Sequence, residues 1–355
     1  MRKKIVKKTL LVVLITVITL SLAACGDSSQ KQADNSESLP DEINFGILRV
    51  PNDETIAMVE GYFDDYFTDR GIEVNFTVFD SGSEANQALA SDSIDFATMG
   101  NINSITALSR DLGVELIWIH EILGEIEALA VREDSGINEI NDLAGKRVAV
   151  PFASTCHYVL LNAIKEAGIS EEVELLDMRT SEIVAAWQRG DIDAAYTWQP
   201  SLGKLYEDNG VPLITSEEMA ERGYVTANVD VVKKDFADKY PELVTDFVTL
   251  LAKAGDIYRN DPEKGAEIVS QKLSITADEA LNQMQGSTWH TREKLLSERF
   301  FGSSDNPGEF AKIMKETSDF LLEQDSLDHS PSQEEFHEYV NPEFIEKSLE
   351  QTEGN

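Results

Sequence analysis

The chain has 355 residues and a net charge of −35, with 65 acidic against 30 basic side chains and 42% hydrophobic residues. That apolar content excludes a disordered or fibrous chain, and the length exceeds the roughly 250–300 residues at which single cores stop growing, so two lobes are expected. So acidic a surface excludes nucleic acid as a partner and disfavours anionic headgroups, because affinity for phosphate backbones comes from Lys and Arg releasing counterions.

Residues 1–24 read as a signal peptide. Arg2, Lys3, Lys4, Lys7 and Lys8 form a basic head, and Thr9 to Leu22 is an apolar stretch followed by small residues. The stretch is shorter than the ~20 residues that a membrane span needs. Leu22-Ala23-Ala24-Cys25 resembles the bacterial lipobox, whose cysteine is lipidated and becomes the new N-terminus. An ordinary signal peptide with a chance cysteine is the plainer alternative. Residues 25–41, rich in Ser, Asp, Asn and Gln, suit a flexible tether. Removal of residues 1–24 leaves a charge near −40. That suits an exported protein in salt, where screening over about 8 Å relieves self-repulsion. Cys156 then has no intramolecular disulfide partner, and no zinc-type Cys/His cluster can be assembled. His120, His290, His329 and His337 show no metal spacing and read as surface or capping residues, so no metal or cofactor is expected.

From Ile43 onward, short apolar runs alternate with helical patterns, as a parallel sheet flanked by helices requires. Strands are expected at Ile43 to Leu48, Val74 to Phe79, Phe96 to Met99, Leu116 to Ile119 and Ala128 to Val131. A second series falls at Val148 to Val150, Val173 to Leu176, Ala194 to Thr197 and Val229 to Val232. The chain then turns helical, and Pro241 and Pro307 each read as a helix start, where a missing N–H costs nothing. Ile94-Asp95-Phe96-Ala97 and Ile192-Asp193-Ala194-Ala195 repeat one helix-end, turn and strand pattern. The reading is α/β with two lobes and a helical C-terminal extension: 42–131 with 234–355 in lobe 1, 132–233 in lobe 2, and crossings near Arg132 and Lys233. Ligands of open parallel sheets sit at the carboxyl ends of strands, so the space between the lobes is a cleft.

No P-loop, dinucleotide glycine fingerprint, nucleophile elbow or HExxH helix occurs. What remains is three loops that follow strands and open helices: Phe79 to Ser83, Met99 to Ser104, and Val150 to Tyr158. Free N–H groups at helix N-termini bind anions without a formal cation, although plain capping by Ser, Thr and Asn explains the same residues. Trp198 ends a strand and either walls an apolar ligand segment or packs the lobe, whereas Trp187 sits at core spacing. Glu127 and Asp230 are acids within apolar strands, costly unless paired. A ligand ammonium is one partner; Lys233 or a backbone donor is the other.

From Asn44 to about Val340 the chain resembles the taurine-binding, alkanesulfonate-type solute receptors of bacterial ABC importers. The resemblance is carried by Phe79-Asp80-Ser81-Gly82, by Gly145 to Phe152 running on through Ser154-Thr155 to His157-Tyr158, and by Ala185 to Asp193. It implies a two-lobed periplasmic-binding-protein-like fold that closes on a sulfonate and delivers it to a permease and its ATPase. It also implies attachment to the extracytoplasmic membrane face through lipid. The family's binding positions fall on Asn101, Glu127, Ser154, Thr155, His157, Trp198, Asn228 and Asp230. A Leu-Asp-Val-Trp segment of the family reads Ala227-Asn228-Val229-Asp230 here, so the acid has moved by two residues, which keeps the face of a strand.

A binding module without chemistry is the first reading, with taurine or a related sulfonate as ligand; a plain alkanesulfonate, nitrate or a thiamine precursor are the alternatives. The rival is a desulfinase-like enzyme with Cys156 as nucleophile, since a thiol at a helix N-terminus is acidified. Against it, Cys156 and His157 are adjacent on a helix and point about 100° apart. An adhesin or assembly lipoprotein would need repeats or a large apolar patch, and neither is visible.

Overall fold

The structure is a computed structural model that describes residues 39–353; the segment expected to be a signal peptide (1–24), Cys25 and nearly all of the expected tether (25–41) lie outside the described residues. Strands and helices alternate from β1 (Glu42–Leu48) through β2 (Glu73–Phe79), β3 (Phe96–Gly100), β4 (Val114–Leu123), β5 (Glu127–Arg132), β6 (Arg147–Val150), β7 (Glu174–Asp177), β8 (Ala194–Trp198), β9 (Gly210–Thr215) and β10 (Ala227–Lys233). Helices then dominate, interrupted by the short β11 (Ser287–Thr288).

Two large sheets form among the described residues, ordered β11-β4-β10-β3-β1-β2 and β7-β6-β8-β5-β9. In the first, β1 runs parallel to β2 and β3; in the second, β6 runs parallel to β7 and β8. β10 lies antiparallel between β3 and β4, and β5 lies antiparallel between β8 and β9. The antiparallel sense follows from topology. A chain leaving one lobe at a strand's carboxyl end enters the other sheet from the cleft side, so it must run against strands that end there.

This pairing corrects the lobe boundaries expected from sequence. β5 belongs to the second sheet and β10 to the first, so the crossings lie at Gly124–Ile126 and Tyr224–Thr226, not near Arg132 and Lys233. An apolar run announces a strand but not its partner, because pairing is non-local. The two crossings are tied together: Leu123 N–H donates to the Thr226 carbonyl at 2.9 Å.

The repeated Ile-Asp pattern is one structural device used twice. Asp95 Oδ2 accepts the Asn44 N–H at 2.8 Å, and Asp193 Oδ2 accepts the Arg147 N–H at 2.8 Å. In each lobe the aspartate thereby clamps the first residues of the neighbouring parallel strand, while Ile94 and Ile192 are buried beneath.

The core of the first lobe is aromatic. Phe45 stacks on Phe96 at 5.0 Å, Phe247 at 5.2 Å, Phe76 at 5.3 Å and Phe63 at 5.6 Å. Phe247 comes from the helix Pro241–Asn260, which opens with Pro241 as expected and brings the late helical region back onto this sheet. Pro307 does not open a helix: it lies in a short hairpin, and the next helix starts at Glu309 with Gly308 as its cap. The second lobe packs around Trp187, which is fully buried with its Nε1 donating to the Asp208 carbonyl at 3.1 Å. Since Phe45 packs against these four rings and Phe67, Phe45→Ala should cost about 3–5 kcal/mol. Guanidinium unfolding of the variant checks this, and a loss below about 1 kcal/mol would show that the cluster does not hold this lobe together.

Candidate functional site

The carboxyl ends of the parallel strands and the first residues of β5 and β10 meet at one place. They enclose a cavity lined by Leu48, Val50, the Ser81–Ser83 segment, Gly100, Asn103, Leu123, Ile126, Glu127, the Pro151–Thr155 segment, Trp198, Gln199 and Asn228. It leaves ≈ 40 Å³ for the centre of a water-sized sphere, against the ~10–15 Å³ that one water needs. That is room for a few waters.

Three helices start at this wall, at Gly82, Asn101 and Thr155. The first N–H groups of a helix have no partner within it. Ser81 Oγ accepts from Glu84 N–H at 3.3 Å and Ser154 Oγ from His157 N–H at 3.2 Å, so both hydroxyls act as caps. The helix at Asn101 has no side-chain cap. Each cap satisfies only one of the orphan donors, so capping leaves further N–H groups free of a partner within the helix.

The lobes touch across the cavity. Asn103 Nδ2, from the first lobe, donates to the Ala153 carbonyl of the second at 2.8 Å and to Ser83 Oγ at 3.3 Å. A Cβ placed on Gly100 would lie 2.8 Å from Thr155 Cγ2, so glycine permits this approach. Ala153 is held at φ 55°, a left-handed value that costs free energy for a residue with a side chain.

Glu127 is the cavity's acid, and it is only 2% exposed. Thr155 Oγ1 donates to its Oε1, and Ser216 Oγ donates to its Oε2 at 3.0 Å. Burial pushes the carboxyl up to about 7 even though these donors favour its charged form. Near neutral pH the group is thus balanced between its two states. Trp198, half-buried, supplies an apolar wall beside Phe152.

Of the residues expected at the site, Glu127, Ser154, Thr155, Trp198 and Asn228 line the cavity, and Asn101, His157 and Asp230 do not. Asn101 Oδ1 accepts the Ala227 N–H at 3.2 Å and pins the returning crossing. His157 accepts the Ala153 N–H at 3.3 Å and stacks on Phe152 at 4.4 Å. Burial lowers it to about 4, so it is a neutral prop behind the loop.

Asp230 corrects the sequence reading most. It keeps the sheet face of Asn228 but lies deeper, where His120 Nε2 is 3.3 Å from its Oδ2 without hydrogen-bond geometry. His120 is 1% exposed, not a surface residue, and its Nδ1 meets Asp53 Oδ1 at 2.5 Å. Burial opposes the imidazolium, but Asp53 and Asp230 hold it well above its usual value. Trp118 Nε1 adds a donor to Asp53 at 2.9 Å, and Thr98 Oγ1 one to Glu54 at 2.5 Å. Asp230 therefore has an internal cation and is not available to a ligand. The residues that sequence reasoning passed over are Asn103, Gln199 and the apolar wall of Leu48, Val50 and Ile126. Asn103 lay inside a flagged loop, but nothing local marks it as the residue that reaches the other lobe.

Cys156 is fully buried behind Thr155, and burial together with Glu127 raises its thiol well above the usual range. Among the described residues no group of three or more His, Cys, Asp or Glu could hold a metal, and no helix is long and apolar enough to cross a membrane.

Comparison with known proteins agrees with this geometry. The chain is 34% identical over 285 residues to the taurine-binding periplasmic protein of Escherichia coli strain K12, covering 78% of this chain and 85% of the relative. It is 25% identical over 342 residues to a putative aliphatic sulfonates-binding protein of Bacillus subtilis strain 168, covering 96% and 97%. Among solved structures it is similar to the periplasmic aliphatic sulphonate binding protein SsuA from Escherichia coli, with a TM-score of 0.68 at 17% identity over 84% of this chain and 92% of that one. The desulfurization enzyme DSZB shares the fold at a TM-score of 0.64 and 20% identity, over 88% and 100%. The fold is therefore that of the two-lobed periplasmic binding proteins, as expected from sequence. With residues 56–265 matching its description, the chain belongs to the NMT1/THI5-like family.

Proposed function

We propose that the chain is an extracytoplasmic solute-binding lipoprotein of an ABC importer, which captures taurine or a related sulfonate with an ammonium end and passes it to the permease and its ATPase. The observation that carries this reading is Glu127, a buried carboxyl at the edge of a cavity whose opposite needs are met by helix N-termini. The sulfonate sits at the free N–H groups of the helices starting at Gly82, Asn101 and Thr155, where the helix dipole favours negative charge. Glu127 pairs the ammonium, and Trp198 covers the ethylene link. The small cavity suits a short ligand. Two relatives named for taurine and aliphatic sulfonates support the same ligand class.

No reaction is part of this reading, so no cofactor or metal enters it. Cys156 supports that: a thiol shut away behind Thr155 and held in its protonated form beside Glu127 is a poor nucleophile. Closing of the lobes is driven by the ligand's greater affinity for the closed form, and Asn103 and Gly100 mark where the lobes meet. The surface charge does not oppose an anionic ligand, since distant charges are screened and local donors are not.

The test is isothermal titration of the full chain, solubilised in detergent, with taurine and ethanesulfonate. Both share the sulfonate, so only the ammonium site can separate them. Glu127→Gln should weaken taurine by roughly a hundredfold or more, in line with the ~3–5 kcal/mol cost of breaking a buried pair, and ethanesulfonate far less. Equal losses, or a wild type that prefers ethanesulfonate, would make the ligand a plain alkanesulfonate.

The lipid anchor at Cys25 is part of the proposal and has its own check. Mass spectrometry of membrane-extracted protein should find a diacylated or triacylated chain beginning at Cys25. An unmodified chain beginning elsewhere refutes it.

A further inference from the structure

Glu121 stands on β4, two residues before the cavity-lining Leu123, and is 1% exposed. It is the direct cross-strand neighbour of Asn228 on β10, so the two side chains share a sheet face. Glu121 Oε1 accepts from Asn228 Nδ2 at 2.6 Å, and Glu121 Oε2 has no hydrogen-bond partner among the described residues. Asn228 in turn lines the cavity.

The chemistry of this pair depends on one proton. A carboxylate has no donor, so it must engage the amide through its NH2 group, which leaves the Asn228 carbonyl oxygen without a protein partner as an acceptor for the cavity. A neutral carboxyl can donate its O–H to that oxygen instead, and the amide, turned over, then presents NH2 to the cavity. The first state suits an ammonium group. The second suits an anion or a hydroxyl.

We propose that Glu121 determines specificity by acting through Asn228: as a carboxylate it fixes the amide with its oxygen available to the cavity and so favours ligands that end in an ammonium group. The inference rests on the sulfonate-binding reading above and gives the same site a second acid, contributed by the other lobe from Glu127. The groups that act on Glu121 are Asp53 from the helix Asp53–Val59, His120 on its own strand, Asn228 from β10 and Glu127 from β5. Burial, with Asp53 and Glu127, raises the carboxyl to about 8, while His120 and the Asn228 hydrogen bond oppose the rise. Below that value the free protein holds a proton that an ammonium ligand must expel. Affinity for taurine therefore climbs as pH rises through about 8, until the ligand's own ammonium begins to lose its proton.

The test is isothermal titration of the full chain with taurine and ethanesulfonate across roughly pH 6.5 to 8.5, for wild type and Glu121→Gln. Burial also pushes Glu127 up, to about 7, so it contributes to the slope, and the comparison of wild type with Glu121→Gln separates its part from that of Glu121. In wild type the ratio of taurine to ethanesulfonate affinity should rise about tenfold over the range, whereas Glu121→Gln keeps only the smaller rise due to Glu127. An unchanged slope in the variant overturns the proposal. Should Glu121→Gln fail to fold, wild type alone decides: titration near pH 8 in two buffers of different ionisation enthalpy should show about half a proton released with taurine and none with ethanesulfonate. Equal proton counts overturn the role of Glu121 and leave the sulfonate reading intact. A wild type that binds ethanesulfonate but not taurine overturns ammonium pairing by Glu121 and Glu127 alike and makes the ligand a plain alkanesulfonate; one that binds neither overturns the sulfonate reading itself.

Discussion

An acid shut inside a closing cleft must keep its proton or find a cation, and Glu127 places this protein under that choice. Burial raises the carboxyl to about 7, and the two hydroxyls that donate to it, from Thr155 and Ser216, stabilise its charge without neutralising it. In the proposed reading a small molecule with a positive end completes the site. The same residue opens β5, the strand by which the chain enters the second lobe, so the acid sits where a closing motion of the two lobes would be felt. Charge recognition and lobe geometry are joined at one position.

The opposite end of the cavity needs no cation. Helices that begin at Gly82, Asn101 and Thr155 start at it, and in the proposed reading their oriented dipoles receive the anion despite a net charge of −35. Deeper in the first lobe the charges are matched internally. Asp53 and Asp230 flank the His120 imidazole, and Trp118 donates to Asp53, so Asp230 meets a cation from within the lobe. Asp230 thus lies two residues from Asn228 without lining the cavity, while Glu121 meets Asn228, which does line it.

Much of this was legible in the sequence, for identifiable reasons. β1 to β3, β6 and β8 are short apolar runs between turn signals, and the Ile-Asp repeat marks the same strand-clamping aspartate in both lobes. The helix Pro241–Asn260 carries its own start signal. Local patterns cannot show which sheet a strand joins, so β5 and β10 were placed in the wrong lobes. β9 was missed because Pro212 interrupts it, which only an edge strand such as this tolerates. His120 looked like a surface residue because its partners, Asp53 and Asp230, lie far away in sequence. At the site, the loops were visible but not their inner sides. Asn101 and His157 occupy flagged loops, yet face the crossing and the back of the loop, while Asn103 reaches the cavity.

The most direct measurement is a crystal structure of the protein grown with taurine. The account predicts the ammonium nitrogen about 2.7–2.9 Å from a Glu127 carboxylate oxygen, the distance of a charge-assisted hydrogen bond, with the sulfonate oxygens on the N–H groups of the helices that start at Gly82, Asn101 and Thr155. Taurine bound with its sulfonate toward Glu127, or bound outside this cavity, would contradict it.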